Sequence, residues 1–247
     1  MDATLIGLDL AWGERNPSAA VRLERGGDGV LAVAEHLALR GDDELLAWLD
    51  ERAPAGPALV AVDAPLIAPN PAGTARRCDR LVTRRFGRFH AGAYPANRER
   101  CQRPLRLAAA LVERGWTLDP WKGRTGTWRC ALEVFPHAAA TLLFGLERII
   151  KYKKGPLAER RLGLARLQEL LHERLPQVEP PLRPFAREEV AHLRGRALKH
   201  LEDRLDALLC AAVAARWLER PWSCEVVGDT AGGYILVPLA GRTAAIR

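Results

Sequence analysis

Thr4-Leu5-Ile6-Gly7-Leu8-Asp9-Leu10-Ala11-Trp12 is an apolar run with a carboxylate near its end. Residues 4–10 read as a buried strand. An Asp inside such a segment loses water and gains nothing from the ladder. A carboxylate placed there serves a metal, a cation or a reaction. Four more acidic residues share these surroundings. They are Asp63 in Leu59-Val60-Ala61-Val62-Asp63-Ala64-Pro65-Leu66, Glu133 in Cys130-Ala131-Leu132-Glu133-Val134-Phe135-Pro136-His137, and the pair Asp203 and Asp206. Strands laid side by side would bring these acids to one point.

The pattern around this strand sets the order of elements. Residues 19–24 alternate and read as a second strand. Gly26-Gly27-Asp28-Gly29 turns the chain into a third, over 30–37. Residues 42–52 carry Leu45, Leu46 and Leu49 and read as a helix, with Asp42 as its cap. Residues 58–62 form a short apolar run suited to a central strand, which Pro65 ends. A fifth strand is expected over 131–135, and Pro136 then opens a short helix that stops at Gly145. Helices are expected over 157–175 and 198–218. A hairpin is expected around Gly228-Asp229-Thr230-Ala231-Gly232-Gly233, where Asp229 reads as a turn residue. The interval 68–129 is less regular, with a basic helical stretch over 75–86 and an amphipathic helix near 104–114. It reads as an elaboration inserted into a single domain spanning 1–247. The fold class is α/β, with a mixed central sheet whose first three strands form an antiparallel meander, helices on both faces and a C-terminal hairpin.

The chain has 247 residues, enough for a substantial core. It shows neither a bilayer-length apolar run nor a signal-peptide pattern, so the expected address is the cytoplasm, with no membrane partner. The five cysteines are scattered and include no C-x-x-C pair, which argues against a zinc ribbon or a disulfide framework. Cys130 and Cys210 read as small buried residues. The formal charge of +7 suits a polyanionic partner such as nucleic acid. The Arg- and Ala-rich composition offers a second source for that charge.

Asp203 and Asp206 are three apart, so on a helix both point one way. Alone, they would read as a solvated first turn favoured by the helix dipole. Clustered carboxylates repel, and a hard divalent cation such as Mg²⁺ or Mn²⁺ relieves the repulsion through oxygen ligands. Two such ions can activate water and stabilise the leaving oxygen of a phosphodiester. Taken singly, Asp63 could instead start a turn, Glu133 could pair with a core Arg, and His137 could cap its helix or support a ligand. Arg76, Arg77, Arg80, Arg84, Arg85 and Arg88, with Phe86, Phe89 and His90, form one basic stripe. Lys151-Tyr152-Lys153-Lys154 with Arg160 and Arg161 forms another. Either suits phosphate contacts and base stacking, or a solvated helix face. No Walker A pattern, dinucleotide fingerprint or nucleophile elbow is present.

These residues carry a resemblance. Gly7-x-Asp9-x-Ala11-Trp12, Asp63-Ala64-Pro65-Leu66, Arg77-x-Asp79, Glu133-Val134-Phe135-Pro136-His137, Tyr152-Lys153 and Leu205-Asp206-Ala207-Leu208 resemble domain-of-unknown-function family 429. The Asp203-x-x-Asp206-Ala-Leu run is similar to the closing helix of RuvC-type resolvases. The resemblance implies an RNase H-like fold and a nuclease. It implies that Asp9, Asp63 and Asp206 are metal-binding acids, with Asp203 or Glu133 completing the set. Arg77, Tyr152 and Lys153 would then face phosphate or substrate, and Arg80 of the basic stripe joins them as a substrate-binding candidate. The expectation is a Mg²⁺- or Mn²⁺-dependent phosphodiesterase acting on nucleic acid. Asp9 would bridge two ions, Asp63 and Asp206 would each hold one, and Asp203 or Glu133 would position water. The rivals are an actin-like ATP-dependent phosphotransferase, a non-catalytic nucleic-acid-binding domain and a small-nucleotide phosphohydrolase.

Overall fold

The computed structural model describes residues 3–13, 15–122 and 128–239. Its chain order is β1 (Thr4–Asp9), β2 (Ser18–Arg25), β3 (Leu31–Leu39), α1 (Gly41–Arg52), β4 (Ala58–Val62), α2 (Arg77–Phe86) and α3 (Gln102–Glu113). It continues with β5 (Arg129–Glu133), α4 (Pro136–Phe144), α5 (Leu157–Arg174), β6 (Leu182–Arg183), α6 (Gly195–Glu219), β7 (Cys224–Asp229) and β8 (Gly233–Pro238). Six strands form one sheet in the order β5-β4-β1-β2-β3-β6. β1, β2 and β3 are antiparallel neighbours, while β4 lies parallel to β1 and β5 parallel to β4. An antiparallel meander extended by parallel strands on the other side of β1 is the arrangement of the RNase H-like fold. β7 and β8 pair as a separate hairpin.

The period-two alternation of the strands sorts side chains onto two faces. Leu5 of β1, Leu59 and Ala61 of β4 and Leu132 of β5 pack with α4, α5 and α6. Ile6 and Leu8, Val60 and Val62, and Ala131 pack on the opposite face with Leu45, Leu46 and Leu49 of α1 and Leu107 and Leu111 of α3. Each fully buried aliphatic side chain contributes about 1.5–3 kcal/mol of transfer free energy, so both layers hold the sheet. A third cluster joins α2 to the hairpin through Cys78, Val82, Phe86, Val227 and Ile235.

α6 runs for 25 residues, and Ala207, Ala211, Ala214 and Ala215 are all buried on it. Small side chains let its backbone come down onto β1. Contact is closest at Gly7, where a Cβ would stand 1.9 Å from the Ala207 carbonyl oxygen. This explains a glycine in the middle of a buried strand.

Several local expectations change. Arg40, not Asp42, occupies the N-cap position of α1 and makes no side-chain cap. Asp42 instead pairs with Arg103 Nε at 2.8 Å. α6 begins at Gly195, so Asp203 and Asp206 lie well inside the helix rather than in a solvated first turn. All five cysteines are free and buried. No helix among the described residues is long and apolar enough to cross a membrane.

Candidate metal centre

β1 and β4 pair in register from Thr4↔Ala58 to Leu8↔Val62, and the Asp63 amide continues the ladder by donating to the Leu8 carbonyl at 2.8 Å. Asp9 and Asp63 therefore leave neighbouring strands at one level. Asp9 shares the parity of Leu5 and Gly7, and Asp63 that of Leu59 and Ala61. Both consequently face α6. Asp206 stands on α6 just before Ala207, which covers Gly7. One carboxylate oxygen from each of Asp9, Asp63 and Asp206 lies within 4.8 Å of the others.

Asp206 is fully buried. Its Oδ1 accepts a hydrogen bond from the Tyr152 hydroxyl at 2.5 Å. Its Oδ2 stands 2.7 Å from Lys153 Nζ, which also lies 3.7 Å from Asp63 Oδ2. Tyr152 and Lys153 follow α4 in a short connection whose backbone lies against Gly163 of α5. There a Cβ would meet the Lys151 carbonyl at 2.2 Å. Asp203, one turn before Asp206, pairs with Lys199 Nζ at 2.5 Å. Lys199 also reaches Glu202 at 2.7 Å, and Arg160 reaches Glu202 at 3.3 Å.

The electrostatics follow from crowding. Burial pushes the Asp9 carboxyl well above the carboxylate range, with Lys153 opposing and Asp206 and Asp63 adding to the shift. Burial likewise raises Asp63 to about 6, against the pull of Lys153. The Asp63 side chain keeps 20% exposure, so solvent reaches it. Burial opposes the charge of Lys153, but Asp206 and Asp63 outweigh it and hold the ammonium protonated. His137 packs edge-on to Tyr152 with ring centroids 5.3 Å apart. Its Nε2 is buried and finds no hydrogen-bond partner among the described residues. Burial, helped by Lys153, lowers its pKa to about 4, so it is a neutral imidazole.

Three carboxylate oxygens are a hard donor set suited to Mg²⁺ or Mn²⁺. Oxygens on opposite sides of an octahedral Mg²⁺ are separated by about 4.2 Å. Oxygens within 4.8 Å of one another can converge on such an ion through side-chain rotation. Asp9, Asp63 and Asp206 therefore fit a divalent ion. Asp9 and Asp63 open onto a cleft of about 340 Å³ whose walls include Trp12, Asn16, Lys153, Lys199 and Asp203, with Asp206 buried behind them. Trp12 meets Tyr94 edge-to-face at 6.3 Å, and Tyr94 is 64% exposed with the Arg100 guanidinium over its ring.

A family described as "Protein of unknown function (DUF429)" matches residues 7–230. The chain belongs to this family. The match spans all three clustered acids of this DUF429 protein, together with Tyr152 and Lys153. No curated protein matches the chain. Among solved structures it is similar to the yeast mitochondrial Holliday junction resolvase Ydc2, with a TM-score of 0.40 and 10% identity, over 88% of this chain and 78% of that chain.

The other expected site residues of the DUF429 chain fall elsewhere. Glu133 pairs in register with Val62, whose side chain lies on the α1/α3 face. It therefore leaves the sheet on the side opposite Asp9 and Asp63. Both its oxygens are taken by Arg76, at 2.6 and 2.7 Å, and it accepts from the Leu66 amide at 3.1 Å. Arg76 also grips Asp79 at 2.7 Å, forming a buried ion cluster that ties the start of α2 to the sheet. Asp203 faces the cleft but stands outside the close trio. Arg77 and Arg80 are exposed on α2, and Arg80 binds the Ala75 carbonyl. Tyr152 and Lys153 grip an acid rather than standing free.

No local pattern marks Arg103. It is 2% exposed and holds the loop after Asp9 through the Ala11 and Gly13 carbonyls, at 2.6 and 2.8 Å. The spacing of Lys199 to Asp203, four residues along one helix, was a legible signal for that pair.

Proposed function

We propose that this DUF429 protein is a divalent-metal-dependent nuclease that hydrolyses phosphodiester bonds of nucleic acid. The observation that carries the reading is the convergence of Asp9, Asp63 and Asp206 from two strands and a helix onto one point, beside a lysine and at the floor of an open cleft. A carboxylate trio that natural folding leaves crowded, two of its members with raised pKa values, holds unfavourable energy that a cation releases. Mg²⁺ or Mn²⁺ held by these acids would supply a Lewis acid for the phosphoryl oxygen and a more acidic bound water.

The chain's own groups have separate tasks in this reading. Asp9 and Asp63 hold the ion at the cleft floor. Asp206, locked by Tyr152 and Lys153, is the rigid third ligand. Asp203, poised by Lys199, orients the attacking water. Lys199 lines the cleft and Arg77 and Arg80 are exposed on α2; these three attract the phosphate backbone. Trp12 and Tyr94 offer ring faces to a base beside the scissile phosphate. Glu133 serves as a structural acid that anchors Arg76.

The test is cleavage of labelled DNA and RNA oligonucleotides, single-stranded, duplex and branched, with Mn²⁺ or Mg²⁺. Asp9→Asn, Asp63→Asn and Asp206→Asn should each reduce metal-dependent cleavage by a factor on the order of 10² or more. Activity that survives Asp9→Asn intact refutes the proposal. So does the absence of cleavage from every substrate combined with metal-independent, salt-sensitive binding, which is the outcome for a non-catalytic nucleic-acid-binding domain.

A further inference from the structure

We infer that the centre holds a single divalent ion, and that the Lys153 ammonium permanently occupies the place a second ion would take. The inference rests on the metal-dependent reading above and specifies its cation.

The charges of the cleft wall carry the argument. Asp203 and Glu202 are matched by Lys199 and Arg160, through contacts of 2.5, 2.7 and 3.3 Å. Those four side chains cancel. What remains is the trio of Asp9, Asp63 and Asp206 with Lys153 among them, a net charge of two negatives. One divalent cation brings this to zero. A second would leave two uncompensated positives in a largely buried site.

Geometry points the same way. Lys153 Nζ lies between Asp206 Oδ2 and Asp63 Oδ2, at 2.7 and 3.7 Å. A second ion drawn to those two oxygens would compete with the ammonium for the same place. The other oxygen of Asp206 is engaged by Tyr152. A second ion would have to expel the ammonium from a fully buried carboxylate. Lys153 is fixed by its neighbour in sequence, because Tyr152 is itself buried and bonded to the same carboxylate. The side of the trio that stays open is that of Asp9 and Asp63, which line the cleft.

Lys153 is thus a built-in cation that stabilises negative charge as an ion would, but it neither exchanges nor requires ambient metal.

The deciding experiment counts ions on the full chain with Mn²⁺ alone, by calorimetry and by electron paramagnetic resonance, which distinguishes paired from isolated Mn²⁺. The expected result is one Mn²⁺ per wild-type chain with an isolated-ion spectrum. Lys153→Arg should also bind one. Lys153→Met should gain a second equivalent and show the spectrum of paired ions. Two ions on the wild type would overturn the inference and leave the metal-dependent reading standing. Lys153→Met binding one ion with unchanged affinity would overturn it likewise. No binding by the wild type at millimolar Mn²⁺ would overturn both. If Lys153→Met does not fold, the wild-type count alone decides.

Discussion

Replacing Gly7 by alanine should damage both the fold and the metal centre, although Gly7 touches no ion. The added Cβ would stand 1.9 Å from the Ala207 carbonyl oxygen, 2.4 Å from the Ala211 amide nitrogen and 2.9 Å from the Ala211 Cβ. Such contacts are essentially never closer than 3.0 Å, so α6 must retreat from β1 by at least about 1 Å. The obstructing atoms are helix backbone and cannot turn aside as a flexible side chain would. Overpacking of this kind costs about 1–3 kcal/mol or somewhat more. For a chain of this size each kcal/mol lowers Tm by about 2–4 °C, so a fall of roughly 2–12 °C is expected. Asp206 precedes Ala207 on the moving helix, whereas Asp9 and Asp63 stay with the sheet. A 1 Å displacement carries Asp206 out of the range over which three carboxylates close on one ion, and Mn²⁺ affinity should fall by a factor on the order of ten or more. Thermal melts and Mn²⁺ calorimetry on wild type and Gly7→Ala read both effects. A Tm within the scatter of the wild type would refute the close approach of β1 and α6. A lowered Tm with wild-type Mn²⁺ affinity would refute the claim that this approach sets the metal centre.

Two further outcomes follow from the electrostatics of the site and of its neighbour. The raised Asp63 carboxyl, near 6 rather than 3.8, means that the folded metal-free chain takes up this proton more readily than the unfolded chain. Its contribution to stability is present below the unfolded value and is lost as pH rises through about 6, and an ion must displace the proton below that point. The gain in Tm on adding Mn²⁺ should therefore be larger at about pH 7.5 than at about pH 5; an equal or larger gain at the acid end, in matched melts, would contradict the buried trio. Glu133→Gln should weaken the Arg76 cluster and cost about 3 kcal/mol, toward the lower end for a broken buried ion pair because the amide keeps one acceptor. It should leave Mn²⁺ affinity unchanged, and a loss matching that of Asp9→Asn would return Glu133 to the ligand set.

The parts of the candidate site that were legible in the sequence are those that depend on strand ends and helix periodicity. Asp9 and Asp63 stood out because each ends an apolar run, and Asp206 because it sits beside Asp203 on an Ala- and Leu-rich helix. Glu133 carried the same local signature, yet it leaves the opposite face. Strand parity relative to a neighbour depends on register, and register is a pairing between segments far apart in the chain. The family resemblance implies that Lys153 and Tyr152 face substrate, and their basic stretch by itself suits either phosphate contacts or a solvated face. Their grip on Asp206 comes from across the fold, 54 residues on for the Tyr152 hydroxyl bond. Arg76, Arg85 and Arg160 looked like members of solvated basic stripes. They are matched instead by Glu133, Glu225 and Glu202, none of them close in sequence. Arg103 lies in an ordinary amphipathic helix, and nothing local marks it as the residue that holds the loop after Asp9.

The sequence by itself determined the elements, the identity of the acids and the antiparallel meander, because alternation, turn glycines and helix periodicity act over a few residues. Only the tertiary structure decided which acids meet, since that needed the parallel register of β1 with β4 and the descent of α6 onto Gly7. It also decided that a lysine stands among them. Charge compensation at a buried point is set by distance in space, and the chain brings those groups together from separate segments.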